Sequence, residues 1–234
     1  RKAGNLMKKY IGKAYILRYL FVSMALFING LNITLAKISC LGTDPFSSLN
    51  YSLSSFFPIS MGKAMMIING ILLVFCFLFM RRAIGYGMIA STLILGNASD
   101  FWNGIFVNII GHEITFTGLE HMPLRLGILA AGIIMNIFFC SFYIGGEVGM
   151  APYDALGYMI EKLSHNCIPF KFARIITDII CVAVAYLLSK PAGIQWQIIG
   201  IGTMVMAFGT GPVLDFFLTY VSKPFYNKIC GPKE

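Results

Sequence analysis

The stretch Leu41-Gly42-Thr43-Asp44-Pro45-Phe46 returns 107 residues later as Val148-Gly149-Met150-Ala151-Pro152-Tyr153. In each copy a glycine precedes a proline by three positions and an aromatic residue follows. Proline suits the first turn of a helix, where its missing N–H has no partner to lose, and Thr43 or Asp44 can cap the amides left open. Each motif therefore predicts a chain that leaves one helix, turns and starts a short second helix, over residues 45–57 and 152–163.

The matching extends outward in both directions. An offset of 107 also aligns Asn29 with Asn136, Leu49 with Leu156 and Tyr51 with Tyr158. After a gap of two residues, Ile59 meets Ile168, Ile67 meets Ile176 and Asn69 meets Asp178. After six more, Gly85 meets Gly200, Gly87 meets Gly202, Gly96 meets Gly211 and Asp100 meets Asp215. The agreements fall on Gly, Pro, Asn and Asp. Chance alignment of two greasy segments would instead match interchangeable Leu and Ile. The chain reads as an internal duplication.

Composition sets the solvent. The 234 residues are 57% hydrophobic and 12% charged, with a mean hydropathy of +0.76. Soluble domains carry about twice that share of charge. Six apolar runs, at residues 15–38, 61–80, 83–107, 124–146, 168–189 and 194–220, are each long enough to cross ~30 Å of hydrocarbon. The first is too long for a signal-peptide core. The two short helices are too short and too polar to cross, so they are expected to re-enter the membrane or to lie at its interface. Each half then has three crossings. Three is odd, so the second half enters from the opposite face. The expected architecture is an all-α polytopic membrane protein, with six transmembrane helices forming two inverted three-helix repeats, a plan common among secondary transporters.

The net charge of +8 follows the same plan. Basic residues sit between apolar runs, which argues for topology and against nucleic-acid binding. With the N-terminus in the cytoplasm, 14 Lys and Arg fall on the cytoplasmic side. Only Lys37, Lys63, Arg125 and Lys190 fall outside. The expected organisation is a basic cytoplasmic N-terminus (1–14), the first repeat (15–107), an extracytoplasmic loop (108–123), the second repeat (124–220) and a basic cytoplasmic C-terminus (221–234), in the plasma (inner) membrane.

These motifs, with the ending Gly209-Thr210-Gly211-Pro212-Val213-Leu214-Asp215, resemble the YczE/YyaS/YitT-like bacterial integral membrane protein family over residues 15–220. Ser47 stands where that pattern commonly carries Asp. The resemblance implies a bacterial inner-membrane protein with a small solute as cargo. It supplies no catalytic residues.

Ionisable groups at membrane depth usually face a bundle interior or a water-filled cavity. Asp178 and Arg174 lie four apart, on one helix face of the fifth crossing. Their counterparts Asn69 and Met65 carry no charge, as expected if the two charges neutralise one another and Asn69 faces Asp178 across the pseudo-axis. Asp100 and Asp215 each follow an expected helix break, at Gly96 and at Gly211-Pro212, and either cap a half-helix or meet a substrate. Asn29 and Asn136 are matched and suit interhelical hydrogen bonding. The amino ends of the short helices, opened by Pro45 and Pro152, suit an anionic group, with Thr43, Ser47 and Ser48 lining a path opposite Tyr153 and Asp154. The small-residue spacings Thr92–Gly96 and Ala207–Gly211 serve helix packing or a homodimer.

No nucleotide-binding, HExxH or GxSxG motif occurs, and no crossing carries a His, so neither direct ATP use nor an enzyme is expected. No cofactor or metal is expected either. His112, Glu113, Glu120 and His121 share a loop without ligand spacing, and the six Cys show no CxxC pattern. The expected function is a small-solute secondary transporter or facilitator whose partners are the bilayer and the solute. The alternatives are a channel, or an accessory protein that transports nothing and binds a partner.

Overall fold

The computed structural model describes residues 2–81, 84–110, 116, 121–194 and 198–230. Among these it is all helix and turn, without strands. Helix α1 spans Lys2–Ser39, α2 Pro45–Phe56 and α3 Met61–Phe79. Tyr86–Ala90 (α4) runs through a π-helical stretch, Ser91–Leu95, into α5, Gly96–Ile110. The second half holds α6 (Met122–Gly145), α7 (Pro152–Leu163) and α8 (Phe170–Ser189). Then α9 (Ile201–Phe217) passes through a π-helical stretch, Leu218–Ser222, into α10, Lys223–Cys230. His112, Glu113, Glu120, Arg82 and Trp196 lie outside the described residues.

Among the described residues, four helical segments are long and apolar enough to cross a membrane: Ala14–Ser39, Met61–Phe79, Met122–Gly145 and Phe172–Ser189. Their outward faces are greasy. On α3, Ile67, Ile71, Val74, Phe77 and Leu78 are more than half exposed, as are Ile179, Ile180 and Leu187 on α8. Apolar surface on this scale has no place in water and suits lipid.

The short helices begin as their prolines require. Pro45 opens α2, and the Asp44 carboxylate accepts the Ser47 N–H at 2.9 Å. Pro152 opens α7, where Ala151 stands in place of Asp44 and no side chain caps the helix. Helix α2 buries the polar residues Ser47, Ser48, Asn50 and Ser52 against the rest of the protein. A helix lying on headgroups would turn those residues outward. Instead α2 packs between α3 and α8, and α7 packs between the same two helices.

The turns before α2 and α7 are bound crosswise. Gly42 and Gly149 have φ of +104° and +117°, the left-handed region that favours glycine. The Gly202 N–H donates to the Leu41 carbonyl at 2.8 Å, and the Gly87 N–H donates to the Val148 carbonyl, also at 2.8 Å. Each turn thus rests on a glycine of the other half. A methyl group on Gly202 would sit 2.7 Å from the Gly42 carbonyl oxygen, and one on Gly87 would overlap that of Gly149.

Two arginines repeat the crossing. Arg18, 4% exposed on α1, donates to the Gly146 carbonyl at the end of α6 at 3.3 Å. Arg125, at the start of α6, donates through Nε to the Ser39 carbonyl at 2.9 Å and through a terminal nitrogen to that of Cys40 at 2.7 Å. Each satisfies carbonyls left open where the other helix ends. The residues that follow those ends, Cys40 and Glu147, both have positive φ, +50° and +52°.

The expected breaks lie elsewhere. Helix α9 is continuous through Gly211 and Pro212, and its distortion comes at Leu218–Ser222. One missing N–H removes one bond, and in a membrane the other backbone groups gain by keeping the ladder. Gly96 is a contact and not a break: a methyl there would meet the Gly62 carbonyl oxygen at 2.6 Å, where α3 and α5 cross. The distortion is the π-helical turn just before it. Since Thr92 is buried and Gly96 meets Gly62, that small-residue face is used within the chain. Boundaries move as well: the last helical run covers residues 201–230, where 194–220 was expected.

Candidate functional site

Two polar features stand inside this bundle. The first is a charged network where α7 meets α8. The Arg174 guanidinium reaches Asp154 at 2.5 Å and Asp178 at 3.6 Å, and its carbon lies 4.4 Å from the centre of the Tyr153 ring. The Tyr153 hydroxyl donates to the Asp178 carboxylate. Phe46 stacks on Tyr153, its ring centroid 4.4 Å from that of Tyr153.

The expected pair of Arg174 and Asp178 is therefore a four-residue network in which the closest partner of Arg174 is Asp154. Length explains the difference. Asp154 comes from the first turn of α7, and a guanidinium offers two edges, so it bridges two carboxylates on different helices. Among the described residues no hydrogen bond joins Asn69 to Asp178; Tyr153 donates to that carboxylate, and the Asn69 side-chain oxygen is buried without a hydrogen-bond partner. Two carboxylates against one guanidinium leave a formal excess of one negative charge.

The second feature is a cavity of about 320 Å³ between α1, α2, α3 and α5. Lys37, Tyr51, Ser54, Ser55, Asp100 and Asn103 line it, with the start of α3 at Ser60 and Met61. Lys37 donates to the Asn103 side-chain oxygen at 3.2 Å, and its ammonium lies 5.5 Å from the centre of the Tyr51 ring. Asp100 accepts the Gly62 N–H at 2.9 Å, which makes it a cap for α3 from a neighbouring helix. Tyr51 and Met61 also belong to the apolar cluster containing Phe46, Met65, Tyr153 and Cys181.

The second half carries an aromatic pair at the aligned place. Tyr158 and Phe170, which align with Tyr51 and Met61, stack at 4.1 Å. The Glu161 carboxylate accepts the Phe170 N–H at 3.1 Å, and the ring of Phe170 lies against Gly157.

The remaining expected residues fall outside both features. Thr43 and Ser48 are buried with their hydroxyls 2.9 Å apart, and Ser48 also donates to the Ile198 carbonyl at 3.2 Å. Their hydroxyls are taken up by the turn, so with buried Ser47 they line no path. Asp215 is exposed on α9. Asn29 and Asn136 are half-buried on α1 and α6, and the Asn29 side-chain oxygen has no hydrogen-bond partner. Lys37, Arg18 and Arg125 were legible only as topology charges. One signal was available: the 107-residue offset also aligns Arg18 with Arg125.

Lipid-facing helices around a polar interior define a helical membrane protein. The chain belongs to a family of unknown function, DUF6198, whose model matches residues 16–219. It is 26% identical over 218 residues to "Uncharacterized protein YyaS" of Bacillus subtilis (strain 168), covering 91% of this chain and 98% of that one. It is 25% identical over 205 residues to "Uncharacterized membrane protein YczE" of the same organism, covering 87% and 86%. No solved structure matches.

Proposed function

We propose that the protein is a small-solute secondary transporter or facilitator of the bacterial inner membrane. Its six crossings form two inverted repeats, with both termini in the cytoplasm. The helical runs at residues 86–110 and 201–230 are the crossings that join the four segments named above. The crossed glycine contacts and the crossed arginine caps support a pseudo-two-fold axis, because each involves positions that align in sequence. The bond from Lys162 to the Phe79 carbonyl, at 3.3 Å, supports the same plan, since it joins two chain ends assigned to the cytoplasmic side.

The observation that carries the transport reading is the unequal state of two equivalent places. The first half holds a cavity beside Tyr51 and Met61, while at the aligned place of the second half Tyr158 stacks on Phe170 and stays 40% exposed. An inverted repeat puts those two places on opposite faces of the membrane. One conformation then presents a cavity toward one side, and exchanging the roles of the halves presents it toward the other. The charged network of Arg174, Asp154 and Asp178 is the place for a coupling cation or proton, held at Asp178.

Purified protein in liposomes tests this reading. A carrier gives flux that saturates with solute concentration, and Asp178→Asn changes it. Unsaturable conductance would point to a channel. No flux, with a second protein retained through purification, would point to an accessory role.

A further inference from the structure

We infer that the groove between α3 and the start of α4 binds an anionic phospholipid, with an acyl chain in the groove and the headgroup on Arg81. This needs the bilayer and not the carrier reading. The groove encloses about 280 Å³ and is lined by Leu73, Val74 and Phe77 of α3 with Ile84 and Ile89. Val74, Phe77 and Ile89 are each about half exposed. The groove therefore opens on the outer surface that lipid covers, not into the bundle.

Arg81 stands where the apolar wall ends. Its guanidinium carbon lies 4.8 Å from the centre of the Phe77 ring, which is part of that wall. Its Nε donates to the Phe77 carbonyl at 3.2 Å, and the Ile84 N–H donates to the Arg81 carbonyl at 3.4 Å. Two residues of the groove thus fix the cation, and the N–H groups beyond Nε are left to face a ligand. Among the described residues Arg81 pairs with no carboxylate. The residues between Arg81 and Ile84 are Arg82 and Ala83, so this turn adds positive charge and no negative charge.

Groove and cation together select the occupant. An apolar solute leaves the guanidinium without a partner, and a soluble phosphate leaves the groove empty of chain. A phospholipid meets both. Arginine matches a phosphate with two N–H groups at once. A zwitterionic headgroup brings its own cation to the same place, whereas a net-negative headgroup does not. A lipid so placed bridges the end of α3 and the start of α4, the run that carries the Gly87 N–H to the Val148 carbonyl.

The test uses the full chain and native mass spectrometry from nanodiscs that hold equal amounts of phosphatidylglycerol and phosphatidylcholine with the same acyl chains. Phosphatidylglycerol is expected to be retained about fivefold over phosphatidylcholine. Arg81→Gln is expected to remove most of that preference, and Arg81→Lys to keep part of it. Lys228→Gln, which deletes an exposed cation on α10, is expected to leave it unchanged. Val74→Trp fills the groove and should lower retention of both lipids. Glycerol 1-phosphate, a phosphate ester without chains, should not displace phosphatidylglycerol. Arg81, Val74 and Lys228 are all exposed, so each variant keeps the buried core.

Equal retention of the two lipids overturns the inference. So does a preference that survives Arg81→Gln, or one that Lys228→Gln lowers as much, since diffuse surface charge then explains it. Displacement by glycerol 1-phosphate overturns it in favour of a soluble phosphate ester. A dimer that Val74→Trp splits, with lipid retention unchanged, overturns it in favour of a contact between two copies of the chain. Solute flux is not read in any arm, so the carrier reading stands or falls separately.

Discussion

The ring of Phe46 lies on the ring of Tyr153, with centroids 4.4 Å apart and planes 22° from parallel. The two residues occupy the same position in the duplicated sequence, so the second residue of each short helix touches its own counterpart. Under the proposed inverted repeat, such self-contact is what residues beside a two-fold axis make. Aromatic pairs add about 0.5–1.5 kcal/mol beyond the area they bury. The double-mutant cycle of Phe46→Ala and Tyr153→Ala should return a coupling in that range by thermal unfolding in detergent. Simple additivity would remove the stack from the account of the core.

The hydroxyl of Tyr153 has a separate task, since it donates to Asp178. Tyr153→Phe keeps the stack and deletes the donor. It should destabilise the protein by about 1–3 kcal/mol, the cost of a partly buried acceptor losing its partner. In an Asp178→Asn background the same change should cost much less. An equal cost in both backgrounds would separate the two residues.

Phe170 stacks on Tyr158, lies against Gly157 and receives Glu161 at its amide. In a Glu161→Cys protein lacking the exposed Cys167, a membrane-impermeant maleimide should react slowly at position 161. Adding Phe170→Ala should speed that reaction at least several-fold by vacating the space beside Tyr158. Labelling at an unchanged rate would mean that the aromatic stack does not shield position 161.

The crossed arginines should both contribute to stability. Arg125 donates to two carbonyls from two nitrogens at once, a geometry that an ammonium on a flexible stem does not reproduce. Arg125→Ala should cost about 1.5–3 kcal/mol, the range for a hydrogen bond to a charged group, and Arg125→Lys should recover only part of it. Arg18 donates to the Gly146 carbonyl at 3.3 Å and lies over the Tyr226 ring, 5.7 Å from its centre, so Arg18→Ala should also destabilise the protein, with Arg18→Lys recovering part of the loss. Chemical unfolding of the four variants gives the comparison.

Lys162 and the Phe79 carbonyl are in contact, which puts the ends of α3 and α7 at one end of the bundle. Cysteines introduced at positions 82 and 162 should therefore be labelled from the same side of the membrane in intact cells. Labelling from opposite sides would break the inverted-repeat assignment.

Much of the scaffold was legible in the sequence. Gly42, Pro45, Gly149 and Pro152 carry backbone requirements that few other residues satisfy, so their repetition revealed the turns and the short helices. The polar cavity was not legible. Its wall is made by Lys37, Tyr51, Asp100 and Asn103 from α1, α2 and α5, and no local spacing joins them. Lys37 was counted as a border charge because its other role exists only once α5 lies beside it. The Arg174 network was half legible. The pairing with Asp178 is local to one helix, but Asp154 and Tyr153 arrive from a helix whose placement depends on tertiary packing. Pro212 was misread for a related reason: its local preference is real, and the surrounding helix overrides it.

The reciprocal hold of Leu41 on Gly202 and of Val148 on Gly87 also governs biogenesis. A nascent chain inserting from its N-terminus carries an open Leu41 carbonyl until the last helical run arrives, and an unclaimed Gly87 amide until residue 148 arrives. Neither half completes its own turn. A fragment ending within the 108–123 loop should consequently be short-lived when made alone, and should be rescued when the remainder is co-expressed as a separate polypeptide.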